Sequence, residues 1–174
     1  MSVLETERLR LRELTLDDAP FILRLLNDPA WLEFIGDRGV RTVEAARDYL
    51  SAGPLKMYRE HGFGLWLVET KSDAAAAGIC GLLKRDALGD VDLGYAFLPE
   101  FRGRGYAHEA AAATLQHGRR VHGLRRIIAL TAPGNARSIQ ILAKLGLRYE
   151  RTLTLPPAAR ESQLFAWEEF GSGS

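Results

Sequence analysis

Leu9 and Leu11 alternate with Arg8, Arg10 and Arg12, a period-two pattern that predicts a half-exposed first strand. Thr15, Asp17 and Asp18 then offer helix N-caps ahead of Ile22, Leu23 and Leu26, which recur at helical spacing. Pro20 falls in the first turn of that helix, where a missing N–H costs little, and Asp28-Pro29 ends it. A second helix is predicted from Thr42 through Tyr49 and Leu50, interrupted at Gly53-Pro54 and resuming over 55–60.

After Gly62 the texture changes to short strands at 63–70, 77–84 and 91–98, separated by turn-rich 71–73 and 86–90 and stopped by Pro99. They read as an antiparallel meander. A helix over 105–121 follows, with Ala107, Ala110, Ala111, Thr114, Leu115 and Gly118 on one face. That face is small enough to lie close against a sheet. A strand at 126–131 comes next, then a helix at 135–145 with Ile139, Leu142 and Ala143 on one side and Gly146 as its C′ residue. Strands at 147–155 and 163–168, with Pro156-Pro157 in the loop between them, close the chain. The order β-α-α-β-β-β-α-β-α-β-β predicts an α+β fold whose mixed sheet is covered by helices. Without repeats or a linker, residues 6–170 form a single domain, and Gly171-Ser172-Gly173-Ser174 has the composition of a flexible tail.

Composition narrows the partners rather than the fold. A formal net charge of +1 over 174 residues supplies no global field for nucleic acid or an anionic membrane, so any anion site must be local. The pairs Arg119-Arg120 and Arg125-Arg126 come without a stacking motif, which leaves nucleic-acid binding with little support. No apolar run approaches the ~20 residues of a membrane span, and charges at Glu5, Glu7, Arg8 and Arg10 argue against a signal peptide. The single cysteine, Cys80, suits a reducing cytosol and reads as a small buried strand residue, so a cytoplasmic protein, monomer or homodimer, is expected. His61, His108, His117 and His122 have no ligand spacing; they read as solvated surface residues, and no metal is expected.

The chemistry concentrates in Leu98-Pro99-Glu100-Phe101-Arg102-Gly103-Arg104-Gly105-Tyr106-Ala107. A strand ends, two glycines let the backbone curl, and a small-faced helix begins. Helix N-termini present unsatisfied N–H groups and a partial positive charge, which together hold phosphate. Gly103 and Gly105 lack a Cβ, so a pyrophosphate can approach those amides, with Arg102 and Arg104 adding charge at the rim. The turn is not a dinucleotide fingerprint, because His108 stands at the third glycine position, nor a P-loop, because no Gly-Lys-Ser/Thr follows.

Arg102-x-x-Gly105-x-Ala107 resembles the Arg/Gln-x-x-Gly-x-Gly/Ala signature of the GNAT acetyltransferase superfamily. Thr6-Glu7-Arg8-Leu9-Arg10-Leu11-Arg12, Leu93-Gly94-Tyr95, Tyr106-Ala107-His108-Glu109-Ala110, Asn135-Ala136-Arg137-Ser138-Ile139 and Lys144-Leu145-Gly146-Leu147 are similar to its RimJ/RimL-type branch. The likeness covers residues 6–168. It implies a GNAT-like, mostly antiparallel sheet with helices on both faces, in which two central parallel strands, near 91–98 and 127–131, splay apart. It also implies acetyl-CoA as co-substrate, with the pyrophosphate at Arg102, Gly103, Arg104, Gly105, Tyr106 and Ala107. The pantetheine arm would bond main-chain groups around Phe97 and Leu98, with Asn135 and Ser138 beside it. The implied activity is transfer of acetyl from acetyl-CoA to a primary amine, on a peptide N-terminus or a small molecule. A non-catalytic acetyl-CoA-binding sensor is the alternative.

Transfer to an amine needs a base, and Asp92, on the cofactor strand, resembles the acidic residue that many members use, often through water. Its bland alternative is a solvated strand carboxylate. Glu33, after the first helix, is a second candidate. Where many members have a tyrosine in the later helix this sequence has Leu142, and there the resemblance points to Ser138 as partner of the leaving thiolate, with water as the other proton source. Asn135 also reads as a plain N-cap after Pro133-Gly134. The aromatics Trp31, Phe34, Tyr49, Tyr58, Phe63 and Trp66 are expected in the core or lining an acceptor pocket.

Overall fold

The computed structural model describes residues 2–155 and 160–169; the expected 156–157 loop and 171–174 tail lie outside them. Leu9 and Leu11 are fully buried and Arg10 and Arg12 half-exposed, which makes the first alternating run the strand β2 (Leu9–Glu13). It is preceded by β1 (Ser2–Glu5), which the periodicity did not predict because four residues give too short an alternation. Thr15 and Asp18 close a capping box around the single turn Leu16–Asp18, and α1 (Ala19–Leu26) follows with Pro20 in its first turn. Asp28-Pro29 does more than stop that helix. The Asp28 carboxylate accepts from the Ala30 N–H at 3.2 Å and so starts a short helix, α2 (Pro29–Phe34). Thr42 caps α3 (Val43–Ala52), Gly53 breaks it, and α4 (Pro54–His61) resumes as expected.

β3 (Leu65–Thr70), β4 (Ala76–Lys84) and β5 (Val91–Phe97) are the predicted meander, and β4 and β5 pair without a shift from Lys84↔Val91 to Gly78↔Phe97. Then come α5 (Tyr106–Arg120), β6 (Arg126–Thr131), α6 (Ala136–Lys144), β7 (Arg148–Leu155) and β8 (Arg160–Glu168). The eight strands form one sheet in the order β1-β2-β3-β4-β5-β6-β8-β7. Only β5 and β6 are parallel neighbours.

Helices cover both faces, and the alternation of strand side chains divides the core between them. Leu9, Leu11, Trp66, Val68, Cys80, Leu82 and Leu93 pack beneath α5 and α6. Leu65, Leu67 and Ile79 point the other way, against Ile22, Leu25 and Leu26 of α1 and Leu50 of α3. Ala110, Ala111, Thr114, Leu115 and Gly118 are the buried face of α5, with Gly118 letting Leu82 and Ile127 close in. Cys80 lies among them, 3.4 Å from the Thr114 hydroxyl, and burial pushes its thiol up to about 12.

Two expectations fail in detail. Ala143 is exposed rather than on the apolar side of α6, whose buried contact is Leu142. The helix ends there in a Schellman motif: Gly146, at φ +88°, donates to the Ala143 carbonyl and Leu147 to the Leu142 carbonyl, which fixes Leu142 against Leu147 inside. The histidines His117 and His122 are half-buried rather than fully solvated. Their rings lie 5.3 Å apart, His117 edge-on to Trp66 and His122 edge-on to Phe63, and burial lowers the His117 pKa. Among the described residues no three His, Cys, Asp or Glu side chains converge as a metal site.

Gly81 is the tightest point of the sheet. A Cβ there would stand 1.9 Å from the Gly64 carbonyl oxygen, which accepts from the Leu82 N–H at 3.2 Å as the chain enters β3. Gly81→Ala is therefore expected to destabilise the fold by ~3 kcal/mol or more. In thermal melts the midpoint should fall by roughly 6–12 °C for a chain of this size; a loss below ~2 °C would contradict the packing.

Candidate active site

The meander delivers β5 to β6, and there the ladder stops. Only Val91↔Ile127 and Asp92↔Ile128 are paired, although β5 stays with β4 to its end and β6 stays with β8. The sheet is thus two antiparallel halves, β1–β5 and β6-β8-β7, joined by two residue pairs and splayed beyond them. Leu98 donates its N–H to the Ala77 carbonyl at 2.9 Å. By alternation, Ala96 and Gly94 also face β4, while Phe97, Tyr95 and Leu93 turn their backbone polar groups toward the gap. Of the two residues expected to bond the pantetheine arm, Phe97 turns its backbone toward the gap and Leu98 turns its own toward β4. The Leu98 N–H is engaged with β4, and its carbonyl accepts from Phe101.

At the mouth of the gap the chain turns through Gly103 (φ +76°) and Gly105 (φ +83°), left-handed values that favour glycine. Gly105 is the N-cap of α5 and no side chain caps the helix, so the first-turn N–H groups of Tyr106, Ala107 and His108 point outward without intrahelical partners. Arg8 frames this turn. It donates to the Arg104 carbonyl at 2.9 Å and to Glu109 at 2.8 Å, and its guanidinium lies 4.6 Å from the centre of the Tyr106 ring. Glu109 also accepts from the Thr6 hydroxyl at 2.5 Å and the Arg8 N–H at 3.0 Å. A groove of about 560 Å³ beside the turn is lined by Arg8, Gly105, His108, Glu109, Ala112 and Lys144. Arg104 is exposed.

Arg102 is not at the rim. It turns inward, where it donates Nε to the Phe97 carbonyl at 3.0 Å and ion-pairs with the buried Asp28 carboxylate. An uncompensated carboxylate at that depth would be costly, so Asp28 draws the guanidinium away from solvent. Sequence spacing carried no sign of this, since the two residues lie far apart in the chain.

Asn135 caps α6, accepting from the Ser138 N–H at 3.3 Å. The Ser138 hydroxyl stands 2.8 Å from the Tyr95 hydroxyl, so the bond crosses from α6 to β5. Burial raises the Tyr95 phenol to about 12, with the Ser138 bond opposing. Nearby on β6, Thr131 is buried and its hydroxyl has no protein partner.

Asp92 is only 2% exposed, which overturns its reading as a solvated strand carboxylate. It stands at the last paired position before the splay. Arg85 donates Nε to it at 2.5 Å. The Leu130 N–H, which the parting of the strands would leave without a β5 carbonyl, also reaches it. Burial pushes the Asp92 carboxyl up to about 6, against the lowering pull of Arg85 and that N–H. Tyr49 of α3 is part of the same surroundings. Burial raises its phenol, with Arg38 and Arg85 acting in opposition. Asp92 and Tyr95 are three strand positions apart, so they point to opposite faces, about 10 Å along the strand. The structure therefore does not bring Asp92 and Ser138 together on one surface. Glu33 is exposed on α2, where its carbonyl, not its carboxylate, takes the Arg160 guanidinium.

Tyr95, Arg85 and Asp28 are the residues of the site that sequence reasoning did not single out. Tyr95 was in view as part of Leu93-Gly94-Tyr95, but its partner became visible only in space. Of the insert aromatics, Trp31, Phe63 and Trp66 are core. Tyr58 belongs with them, its hydroxyl holding the Leu65 carbonyl and accepting from the Leu14 N–H.

The family described as Acetyltransferase (GNAT) domain matches residues 8–148. The chain is 30% identical over 153 residues to YkkB, an uncharacterized protein of Bacillus subtilis, covering 86% of this chain and 87% of that one. It is also 30% identical over 156 residues to the uncharacterized N-acetyltransferase p20 of Bacillus licheniformis, covering 88% and 86%. A GNAT-family acetyltransferase structure from Bacillus anthracis superposes with a TM-score of 0.77 at 25% identity, over 94% of this chain and 96% of that one. RimL, a ribosomal L7/L12 alpha-N-protein acetyltransferase solved in complex with coenzyme A, is similar in fold alone, with a TM-score of 0.81 at 16% identity over 97% and 98%. Matched in sequence over most of its length and in fold over nearly all of it, the chain belongs to the GNAT family of acyl-CoA N-acetyltransferases.

Proposed function

We propose that this chain transfers acetyl from acetyl-CoA directly to a primary amine, both bound at once, with the amine reached from the face of the helical insert. The observation that carries the proposal is the two-residue β5–β6 contact. It opens a strand-shaped gap that runs from the uncapped end of α5 to the buried Asp92. An extended amide-bearing arm fits such a gap as an added strand would. Phe97 and Tyr95 would offer it backbone groups, Asn135 its amide N–H groups, and Thr131 its orphaned hydroxyl. The N–H groups of the 103–107 turn would hold the pyrophosphate, with Arg104 adding charge. Arg102 would act indirectly, by fixing the Phe97 carbonyl and the turn.

Asp92 would be the base. As the amine nitrogen attacks the thioester carbon and the C–S bond breaks, Asp92 would take the amine's proton, through water. A carboxylate with a pKa of about 6 suits an amine that is already partly neutral. Near pH 7.5 roughly a third of an α-amino group is neutral, against roughly one lysine in a thousand. That favours an N-terminal or similarly weak amine as acceptor, in keeping with the alpha-N-protein acetyltransferase activity that RimL's name states for that protein. Ser138 would face the leaving sulfur. A sensor without turnover would have no use for a buried, raised carboxylate at the base of the gap, so the enzyme is favoured.

Acetyl-CoA at a hundred times its Kd should stabilise the protein by ~2.7 kcal/mol, a rise of roughly 5–10 °C in the melting midpoint. Gly105→Asp should remove that ligand-induced rise, because it puts a Cβ and a negative charge where phosphate would sit; a full rise in the variant would refute the site.

Asp92→Asn should lower turnover by ~10²–10⁴-fold with acetyl-CoA affinity nearly unchanged. A base works only when deprotonated, so kcat should climb with pH through about 6 in the wild type. Arg85 holds the Asp92 pKa down, and Arg85→Ala should move this limb to higher pH while leaving any amine-controlled limb in place. If Asp92→Asn turns over normally at saturating amine, Glu33 becomes the base to examine.

A further inference from the structure

Ser138 carries the only side-chain hydroxyl of α6, and it is not alone. The Tyr95 hydroxyl lies 2.8 Å from its oxygen and 3.4 Å from its backbone carbonyl. Both of those atoms can accept; because a phenol is the stronger acid and the contact to Oγ is the shorter, the single hydrogen of Tyr95 is assigned to Ser138 Oγ. A hydroxyl that receives a hydrogen bond keeps its own hydrogen to give elsewhere. Left to itself, a helical serine turns that hydrogen back onto the carbonyl one turn earlier, here Gly134 or Asn135.

We propose that Tyr95 is a positioning residue for the leaving sulfur: by donating to Ser138 Oγ it turns the serine O–H outward, into the gap, where the thioester sulfur would stand. This rests on acetyl-CoA occupying the gap as proposed above. As the C–N bond forms and the C–S bond breaks, the electron pair of the C–S bond passes to sulfur, and the Ser138 O–H bond to sulfur strengthens with the growing charge. No proton leaves Tyr95 or Ser138. The amine's proton departs through Asp92 and water, and the thiolate takes one from water, so the reaction balances. A donor chain of two hydroxyls polarises its terminal O–H more than a lone serine would. Burial keeps the Tyr95 phenol neutral, hence a donor, across the working pH range. The arrangement also explains why a tyrosine sits on β5 three positions beyond Asp92. The odd spacing puts base and sulfur partner on opposite faces of one strand, with the gap between them.

The test uses the full chain and compares Ser138→Ala, Tyr95→Phe and the double variant with acetyl-CoA and a saturating amine. Ser138→Ala should lower kcat ~10-fold, and Tyr95→Phe ~3–10-fold, the size of one hydrogen bond to a developing charge. KM for both substrates should stay within about twofold and the melting rise with acetyl-CoA should be kept, since the ground state is untouched. The double variant should be no slower than Ser138→Ala, because Tyr95 acts only through Ser138. Unchanged kcat in Tyr95→Phe, a double variant that multiplies the two losses, or a raised acetyl-CoA KM with kcat kept would each overturn the proposal; the last would make Tyr95 a strut holding the gap. The two readings fail separately. If wild-type protein gains no stability from acetyl-CoA, the functional reading falls; if Ser138→Ala slows turnover and Tyr95→Phe does not, only this inference falls. An unaffected Ser138→Ala overturns the role of both hydroxyls.

Discussion

Strands β5 and β6 run side by side for two residues and then separate, while each remains paired along its length with its outer neighbour. A parted ladder exposes backbone N–H and C=O groups that burial makes expensive to leave alone. Two side chains meet part of that cost within the protein, and a third contact bridges the opening. Asp92 takes the Leu130 N–H, Arg102 donates to the Phe97 carbonyl, and the Tyr95–Ser138 bond ties β5 to α6 over the opening. What they leave is a slot with strand geometry and a helix N-terminus at one end, the shape an extended, phosphate-bearing amide chain fills.

The glycine turn at that end is held from both sides of the sheet. Arg8 and Glu109 tie it to the β1–β2 hairpin, and Arg102 ties it to Asp28 at the junction of α1 and α2. The Arg102–Asp28 pair is the more consequential of the two. Breaking a buried ion pair from one side typically costs ~3–5 kcal/mol, because the remaining charge is stranded. The helical insert, which borders the face of Asp92, is thereby coupled to the turn expected to receive the cofactor's phosphates. A signature arginine that looks like a phosphate ligand in the sequence is, in the fold, the link between two halves of the site.

In the proposed mechanism the two faces of β5 would separate the two proton problems of amide formation. Asp92 faces the insert, buried, with its pKa raised toward the range where an amine can be served near neutrality. Tyr95 faces α5 and α6, where its contact with Ser138 would supply a neutral donor to the leaving thiolate. A single strand can hold both because successive side chains alternate, and the gap lets the reacting atoms lie between them.

The local chemistry of the chain was readable residue by residue. Period-two leucines announced β2, Thr15 and Thr42 announced helix starts, small residues at helical spacing announced the buried face of α5, and Gly103 and Gly105 announced a tight turn at a helix N-terminus. These features depend on interactions within a few residues, and such interactions are written in order along the sequence. The likeness to GNAT acetyltransferases added the splay of β5 from β6, which no periodicity reveals. Tertiary structure alone decided that Arg102 belongs to Asp28, that Asp92 is buried beside Arg85, that Ser138 meets Tyr95, and that His117 and His122 pack edge-on against Trp66 and Phe63. Burial, and the pKa shifts and charge pairings that follow from it, depend on which distant segments exclude water from a group. A linear chain does not state that until it has folded.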